Sequence, residues 1–175
     1  FTATSGSLSW TDGDAAPKTF TVPILEDVIF EVDETFTANL SAVTGGATLG
    51  AATTIVTIQS NDAAVPGTIR MAATAVSVDE TAGTVSITVE RVGGSDNPVG
   101  VSYATATGTA GAADFTATSG TLSWASGDAT ARTIVVPITN DTSFEANETF
   151  AVNLSSATGG ATLGTPTTTV TIVSE

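Results

Sequence analysis

Residues 1–14 read FTATSGSLSWTDGD, and residues 115–128 read FTATSGTLSWASGD. The match continues to the last residue without a gap, and 38 of the 61 pairs aligned at a constant offset of 114 are identical. The second copy is preceded by residues 63–114, for which the first copy has no equivalent. We therefore predict a tandem array, with residues 68–175 as a complete repeat, 63–67 as a linker and 1–62 as the C-terminal half of another repeat.

Alternation of apolar and polar side chains indicates β-strands throughout the chain. Val85, Ile87 and Val89, for example, alternate with Ser86 and Thr88, and no window has a helical period. We predict seven strands in the complete repeat but only the last four in the first copy. The predicted ranges are A (68–78), B (83–91), C (99–107), D (120–124), E (132–139), F (149–155) and G (161–173), with D to G of the first copy at 6–10, 18–25, 35–41 and 47–59.

Seven short strands separated by turn residues predict an all-β fold, namely an immunoglobulin-like, seven-stranded antiparallel β-sandwich repeated in tandem. Trp10 and Trp124 each lie two residues after a leucine, on the same strand face. We interpret both as core residues, with a sugar-stacking platform as the alternative. A half repeat exposes strand edges and half of a core, so we do not expect residues 1–62 to fold alone.

The charge of the chain argues against several classes of function. It carries 18 acidic residues and four basic ones, for a formal net charge of −14, and it has neither histidine nor cysteine. Such a surface repels nucleic acid and anionic membranes. Disulfides and thiolate metal sites are excluded, and a serine triad would lack its histidine. We expect no enzyme, and no membrane insertion, because no apolar run is long enough to span a bilayer.

The direction of the strands gathers the acidic residues at one end of the predicted sandwich. If successive strands reverse direction, the AB, CD and EF connections share one pole, and the BC, DE and FG connections share the other. The opposite pole of the complete repeat receives only Asp96 and Asp128. The acidic pole receives Asp79, Glu80, Asp114, Asp141, Glu145 and Glu148, and the corresponding segments of the first copy carry Glu26, Asp27, Glu31, Asp33, Glu34 and Asp62.

Carboxylates gathered in this way require either full solvation or a cation. Two like charges about 4 Å apart repel by roughly 4 kcal/mol at an effective dielectric constant near 20. In the absence of histidine and cysteine, oxygen ligands select calcium or magnesium, and calcium tolerates the irregular geometry of loops better. The alternative is a solvated pole whose charges discourage aggregation at strand edges. The charge pattern by itself leaves both interpretations open.

Two segments of the chain share an acidic motif that resembles a known family. EDVIFEVDETF (26–36) and NDTSFEANETF (140–150) both contain D-x-x-F-E-x-x-E-T-F. Together with VSVDETAG (76–83), VERVGG (89–94), TATGTAGAADF (105–115) and GTLSWASGD (120–128), they resemble the Calx-beta module of sodium/calcium exchangers, an integrin beta subunit and many bacterial surface proteins. The resemblance covers the whole chain and implies a β-sandwich with Ca²⁺ as its cofactor. The calcium ligands that it implies are Glu80, Asp114, Asp141, Glu145 and Glu148 in the complete repeat, and Asp27, Glu31, Glu34 and Asp62 in the first copy.

These features together predict a calcium-binding structural repeat of a large extracellular protein, of the bacterial surface, adhesion or filament type. Its partners would be neighbouring repeats and other copies in a filament, with calcium stiffening the array at the connector 60–67, which contains Pro66. One alternative is an adhesin module that binds a carbohydrate or protein ligand, with calcium incidental. Another is a cytosolic calcium-sensing domain.

Overall fold

The computed structural model describes residues 1–142 and 145–174. The chain divides into two compact units, residues 1–62 (unit 1) and residues 63–175 (unit 2). Apart from one 3-10 turn at Glu80–Ala82, the regular structure of the described residues consists of β-strands. None of these residues forms a helix that is both long and apolar enough to cross a membrane. Phe144, which belongs to the shared acidic motif, lies outside the described residues.

Unit 2 is a sandwich of two β-sheets, so the prediction of an all-β, immunoglobulin-like fold is confirmed. The strands of unit 2, within its described residues, are β3 (Thr68–Met71), β4 (Ala75–Asp79), β5 (Thr84–Val92), β6 (Val99–Thr107), β7 (Ser119–Trp124), β8 (Arg132–Pro137), β9 (Glu148–Thr158), β10 (Thr162–Leu163) and β11 (Thr167–Val173). One sheet has the strand order β10-β3-β5-β8, and the other has the order β4-β11-β9-β6-β7.

The predicted strands A and G are each divided between the two sheets, so the unbroken ranges 68–78 and 161–173 were wrong. β3 pairs antiparallel with β5, whereas β4 pairs parallel with β11, and β10 runs parallel to β3. The crossing between β3 and β4 is fixed by Thr168, which is fully buried and donates its hydroxyl to the Ala73 carbonyl at 2.5 Å. Each of the two predicted strands contributes one segment to each sheet. The sequence pattern cannot reveal this division, because apolar and polar side chains continue to alternate across the crossing.

The core of unit 2 lies between the two sheets and is formed by alternate residues of nearly every strand. Phe115 and Phe150 stack at its centre, with ring centroids 4.1 Å apart. Trp124 is only 2% exposed, and its indole N–H donates to the Thr130 carbonyl at 2.7 Å. The interpretation of Trp124 as a core residue is therefore confirmed, and its buried polar atom has the partner that a buried indole requires.

Unit 1 contains a two-stranded antiparallel sheet of β1 (Glu34–Asn39) and β2 (Thr53–Ile58). The predicted strands at 6–10 and 18–25 were wrong, and their counterparts in unit 2 explain why. There, β7 pairs with β6 and β8 pairs with β5, and unit 1 has no counterpart of β5 or β6. Trp10 is half-exposed, so its assignment to a core was also wrong.

The two units nevertheless share their local geometry at the constant offset of 114. In unit 1 Glu34 lies opposite Ile58 and Asn39 opposite Thr53, while in unit 2 Glu148 lies opposite Ile172 and Asn153 opposite Thr167. The threonine hydroxyl donates to the asparagine carbonyl oxygen at 2.8 Å in both units. The strand register of unit 1 is therefore that of the β9–β11 pair.

Arg91 holds the first residues of unit 2 against the pole opposite the acidic connections. Its side chain is almost completely buried, and its guanidinium group donates to five backbone carbonyls. The distances are 2.9 Å to Pro66, 2.6 Å to Asp96, 3.0 Å to Asn97, 3.1 Å to Ala125 and 2.9 Å to Asp128. The Val65 amide also donates to the Asp96 carboxylate at 2.7 Å, so the chain is fixed before β3 begins.

Candidate metal centre

Three connections of unit 2 carry acidic residues to the same pole. Glu80 begins the 3-10 turn that follows β4, and Asp114 lies in the connection between β6 and β7. Glu145 lies in the connection between β8 and β9, and Glu148 is the first residue of β9. These are the AB, CD and EF connections of the sequence analysis, each of which ends or begins at the same end of the sandwich.

Asp114, Glu145 and Glu148 form the tightest acidic group in the described part of the chain. Each offers one carboxylate oxygen, and these three oxygens lie within 4.8 Å of one another. All three side chains are half-buried, so water screens their charges only in part. Residues separated by more than thirty positions in the sequence are thus brought within the reach of one ion.

The backbone of the β6–β7 connection fixes the position of Asp114. Its carboxylate accepts a hydrogen bond from the Gly111 amide at 2.6 Å, and its carbonyl accepts one from the Thr139 amide at 2.8 Å. The Ala110 amide donates to the Thr149 carbonyl at 2.9 Å, which ties the same connection to the start of β9. Asp114 is therefore held against the strand that carries Glu148.

Glu80 is a buried acid at the edge of this group. Its side chain is 7% exposed, and its carboxylate accepts a hydrogen bond from the Asp141 amide at 3.1 Å. The Asp141 side chain is exposed. Glu80 thus fixes the beginning of the connection that carries Asp141 and Glu145, and a buried carboxylate gains from such a bond because burial otherwise disfavours its charge.

The proximity of these acids alters their protonation. Burial, followed by the charges of Asp114, Asp141 and Glu80, raises the pKa of Glu145 above its ordinary value. Burial, followed by a hydrogen bond and the charge from Asp114, raises the pKa of Glu148. Both shifts mean that the ionised form of each carboxylate is disfavoured at this pole. A bound cation would stabilise the ionised form.

The donors at this pole suit a hard divalent cation. They are carboxylate oxygens, and the chain has no histidine or cysteine to offer nitrogen or sulfur. Calcium takes six to eight oxygen ligands and accepts carboxylates in either one- or two-oxygen contact, whereas magnesium demands a near-ideal octahedron. The residues present therefore fit calcium.

The acids of unit 1 line a more open site. Asp27, Glu31, Glu34 and Asp62 all border one cavity of about 330 Å³, which also includes Ile24 and Asn61. The Asp27 carboxylate accepts a hydrogen bond from the Ile29 amide at 2.8 Å. Within the described residues, no three acids of unit 1 approach one another as closely as the group in unit 2 does. Unit 1 has no counterpart of Glu80 or Asp114, which in unit 2 come from residues 63–114.

Sequence reasoning missed several polar residues that close the connection carrying the acids. In unit 2 the Ser174 hydroxyl accepts a hydrogen bond from the Glu145 amide at 3.3 Å. In unit 1 the Ser60 amide donates to Asp33 at 3.1 Å, and the Asn61 side-chain amide donates to Glu26 at 2.6 Å. In both units, residues that follow the last strand bind the acidic connection. A repeated serine at an offset of 114 was the only signal for this in the sequence.

Comparison with protein families gives two matches on this chain. A family model described as the Calx-beta domain matches residues 1–65 and again residues 62–175. The adhesion G-protein coupled receptor V1 of Danio rerio is 32% identical over 193 aligned positions, which include 98% of this chain. The chain spans only 3% of the length of that receptor.

Solved structures agree with the sequence matches. The apo-form Calx CBD1 domain superimposes with a TM-score of 0.59 and 26% identity, covering 62% of this chain and 96% of that domain. The calcium binding domain CBD12 of CALX1.1 gives a TM-score of 0.58 and 28% identity, covering 61% of this chain and 45% of that one. The Calx CBD2 domain, at 18% identity and a TM-score of 0.58, supports the fold alone.

Proposed function

The chain belongs to the Calx-beta domain family, and we propose that unit 2 binds calcium through Asp114, Glu145 and Glu148. The observation that carries this proposal is the approach of their three carboxylate oxygens to within 4.8 Å. The family membership confirms the resemblance inferred from the repeated acidic motif. The calcium binding domain named among the similar structures supports the same choice of ion.

Two further acids complete the proposed ligand set of unit 2. Calcium prefers six to eight oxygen ligands, and three carboxylates supply three in one-oxygen contact and no more than six in two-oxygen contact. Asp141 lies next to Glu80, whose carboxylate already binds the Asp141 amide, and the charges of both residues act on Glu145. In unit 1 we propose Asp27, Glu31, Glu34 and Asp62 as the corresponding set, supported by their common cavity.

The proposal is tested by calorimetry and thermal unfolding of the whole chain. Calcium that binds the folded pole and not the unfolded chain adds about 2.7 kcal/mol at 100 times its dissociation constant. We expect a saturable binding heat and a clear rise in the melting temperature of unit 2 relative to chelator. Superimposable melting curves in calcium and in chelator would refute it.

Two variants separate this site from general screening of an acidic protein. Replacement of Glu145 and Glu148 by Gln in one chain should abolish the calcium-dependent rise in melting temperature. Replacement of Asp96, at the opposite pole, by Asn should leave that rise unchanged. Magnesium at the same ionic strength should raise the melting temperature less than calcium does, because it fits irregular oxygen sites poorly.

We infer further that these modules serve as structural repeats of a large extracellular protein, in contact with neighbouring repeats and with other copies in a filament. The adhesion receptor among the relatives supports an extracellular context, and the internal repeat supports an array. That relative is a fish protein, and a bacterial source for this chain stays a prediction.

Calcium at unit 1 is proposed to stiffen the connector between the units. The hydrogen bonds of Ser60 and Asn61 fix one end of the connector within unit 1, and those of Val65 and Pro66 fix the other within unit 2. Only residues 62–64 lie between these bonds, and Asp62 is one of the proposed ligands. Small-angle scattering of the whole chain should give a narrower distribution of dimensions in calcium than in chelator. Identical distributions would assign the stiffness to the linker itself.

A further inference from the structure

The three residues that lead into β3 lie against the backbone of unit 2, at the pole opposite the acidic connections. The carbonyls of Val65, Pro66 and Gly67 are consecutive, and each accepts one hydrogen bond from a different segment. The donors are the Asp96 amide to Val65 at 3.2 Å, the Arg91 guanidinium to Pro66 at 2.9 Å and the Thr162 amide to Gly67 at 3.1 Å. Residues 65–67 belong to no strand, yet they are held by the β5–β6 connection, by β5 and by β10.

The connector approaches this part of unit 2 so closely that no side chain fits at two glycines. A Cβ atom on Gly94 would lie 2.1 Å from the Val65 carbonyl oxygen, far inside van der Waals contact. A Cβ atom on Gly67 would lie 2.5 Å from the Gly94 carbonyl oxygen, and Gly67 also has a positive φ of 84°, which glycine adopts without strain. The surface of unit 2 is therefore shaped to fit the backbone of residues 65–67.

Arg91 joins this attachment to both sheets. Its guanidinium group donates to the Pro66 carbonyl and also to carbonyls of the β5–β6 and β7–β8 connections. β5 and β8 belong to one sheet, and β6 and β7 belong to the other. The Asp96 carboxylate accepts the Val65 amide at 2.7 Å, and none of the metal ligands proposed for either unit takes part in these contacts. The attachment therefore needs no cation other than the guanidinium itself.

Residues 62–64 differ from the three residues that follow them. Asp62, Ala63 and Ala64 form no hydrogen bond with any other described residue. The boundary between the two compact units, at residues 62 and 63, falls within this stretch. Local opening costs little free energy where a segment has few hydrogen bonds and little buried apolar surface. Bending is therefore easier at residues 62–64 than at residues 65–67.

We propose that residues 65–67 are a fixed part of unit 2 and that bending between the modules is confined to residues 62–64. The pole opposite the acidic connections then serves as the attachment point of the chain that enters unit 2, with or without calcium. Calcium at unit 1, which includes Asp62 among its proposed ligands, acts only on residues 62–64. The part that concerns calcium rests on the proposed function, whereas the attachment of residues 65–67 does not.

Nuclear magnetic relaxation of the ¹⁵N-labelled whole chain tests the proposal in chelator. The order parameters of the Val65 and Gly67 amides should be about 0.85, as in rigid backbone, and those of Ala63 and Ala64 should be lower. The Val65 amide should exchange with solvent at least about 100-fold more slowly than the Ala64 amide, because only the Val65 amide donates a hydrogen bond. Excess calcium should raise the order parameters of Ala63 and Ala64 and leave those of Val65 and Gly67 unchanged.

Two substitutions detach the connector without changing a proposed metal ligand. Gly94→Ala places a methyl group against the Val65 carbonyl, and Asp96→Ala removes the acceptor of the Val65 amide. Each should lower the order parameter of Val65 and increase the exchange rate of its amide about tenfold. Gly93→Ala is the matched control, because it introduces backbone strain at a φ of 75° but its Cβ atom meets nothing within 4 Å. Thermal unfolding in chelator shows that unit 2 of each variant is folded.

Small-angle scattering of the same variants separates the two ends of the connector. The Gly94→Ala and Asp96→Ala chains should have a broader distribution of dimensions than the parent chain, in chelator and in calcium alike. The Gly93→Ala chain should match the parent. The comparison in chelator does not depend on calcium binding, so it distinguishes failure of this proposal from failure of the proposed metal site.

Two outcomes would overturn the proposal. One is a set of uniform order parameters along residues 62–67 in chelator, which would mean that the connector moves or is held as a whole. The other is a rise at Val65 and Gly67 when calcium is added, which would mean that calcium, and not the pole of unit 2, holds these residues. If Val65 is rigid and calcium changes nothing in the connector, the attachment to unit 2 stands and the calcium site of unit 1 fails.

Discussion

Residues 1–62 and the described residues of the range 115–174 share local geometry but differ in burial. Trp10 donates its indole N–H to the Ala16 carbonyl at 2.7 Å, and Trp124 donates to the Thr130 carbonyl at the same distance. Yet Trp10 is 50% exposed and Trp124 only 2%. The turns, the strand register and the short-range hydrogen bonds of the repeat therefore form from its local sequence. Burial of the tryptophan side chain additionally requires the strands that residues 63–114 contribute to unit 2.

This contrast separates local order from stability. Net stabilisation by a typical hydrogen bond is about 1 kcal/mol, and full burial of one large apolar side chain contributes about 1.5–3 kcal/mol. Unit 1 has the first kind of contribution, and unit 2 has both. Equivalent substitutions in the two units should consequently have very different effects on unfolding.

The largest difference is expected for the two tryptophans. Trp124→Ala should lower the free energy of unfolding of unit 2 by about 3–5 kcal/mol, because it leaves a cavity in a packed core. Trp10→Ala should change the free energy of that transition by less than about 0.5 kcal/mol, since Trp10 lies in the other unit. Urea unfolding followed by far-UV circular dichroism measures both. Equal losses would show that the two units unfold as one.

A second comparison concerns arginines that are buried and exposed. Arg91→Leu should destabilise unit 2 by about 3 kcal/mol, because several buried carbonyls lose their hydrogen-bond donor. Arg70 pairs with Glu90 at 3.0 Å on the surface, with 47% of its side chain exposed. Arg70→Leu should cost about 0–1 kcal/mol. Denaturant midpoints of the two variants decide the order, and a larger effect for Arg70→Leu would contradict it.

The acidic pole gives a prediction for pH. The folded-state pKa values of Glu145 and Glu148 are raised from the ordinary 4.5, so the folded protein binds protons more readily than the unfolded chain. In chelator, the stability of unit 2 should therefore fall as pH rises from 4.5 through these raised values. Calcium affinity should rise over the same range, as the ligands lose their protons. Melting curves and calcium titrations from pH 4.5 to 7.5 measure both trends.

Double replacement of Glu145 and Glu148 by Gln supplies the control for that prediction. The variant should lose the part of the pH dependence that these acids cause, and in chelator at pH 7 it should be at least as stable as the parent chain because repulsion is relieved. The corresponding replacement of Glu31 and Glu34 in unit 1 should leave the unfolding of unit 2 unchanged. A less stable Gln variant in chelator would contradict the repulsion argument.

The smallest effect is expected at a repeated turn. Hydrogen bonds from Thr130, followed by the influence of Arg132, lower the pKa of Asp128 to about 2 from its ordinary 3.8. The stability that results is present above pH 3.8 and is lost as pH falls towards 2. Asp128→Asn should lower the melting temperature of unit 2 slightly at pH 7 and by less at pH 2. Asp14→Asn, at the same turn of unit 1, should leave that transition unchanged.

The sequence predicted the sandwich and the acidic pole well because both depend on features that are visible along the chain. Alternation located β5 to β9, and alternating strand direction brought Asp114 towards Glu145 and Glu148. Prediction from alternation failed where the formation of a strand depends on the neighbouring strand with which it would pair. Residues 6–10 and 18–25 have the same pattern as β7 and β8 but lack the strands beside which they would form a sheet.

Other features depend on long-range contacts that no local pattern encodes. The crossing of the chain between sheets at residues 72–74 depends on Thr168, almost one hundred positions away. The role of Arg91 depends on carbonyls from three separate segments. Nothing in the local sequence distinguishes a buried arginine from an exposed one within an alternating strand. The closure of the acidic connection by Ser174 was equally hidden, because serine is common in this chain.

The parallel pairing of β4 with β11 has a mechanical consequence. Five residue pairs, from Ala75 with Thr169 to Asp79 with Val173, join β4, the second strand of unit 2, to β11, its last strand. Tension that reaches β4 and β11 from the two ends of unit 2 pulls these parallel strands in opposite directions along their length. This shearing geometry loads all the hydrogen bonds between the two strands at once, whereas an antiparallel pair pulled from one end would break its hydrogen bonds one at a time. A module with this pairing therefore resists extension until all the hydrogen bonds between β4 and β11 break together.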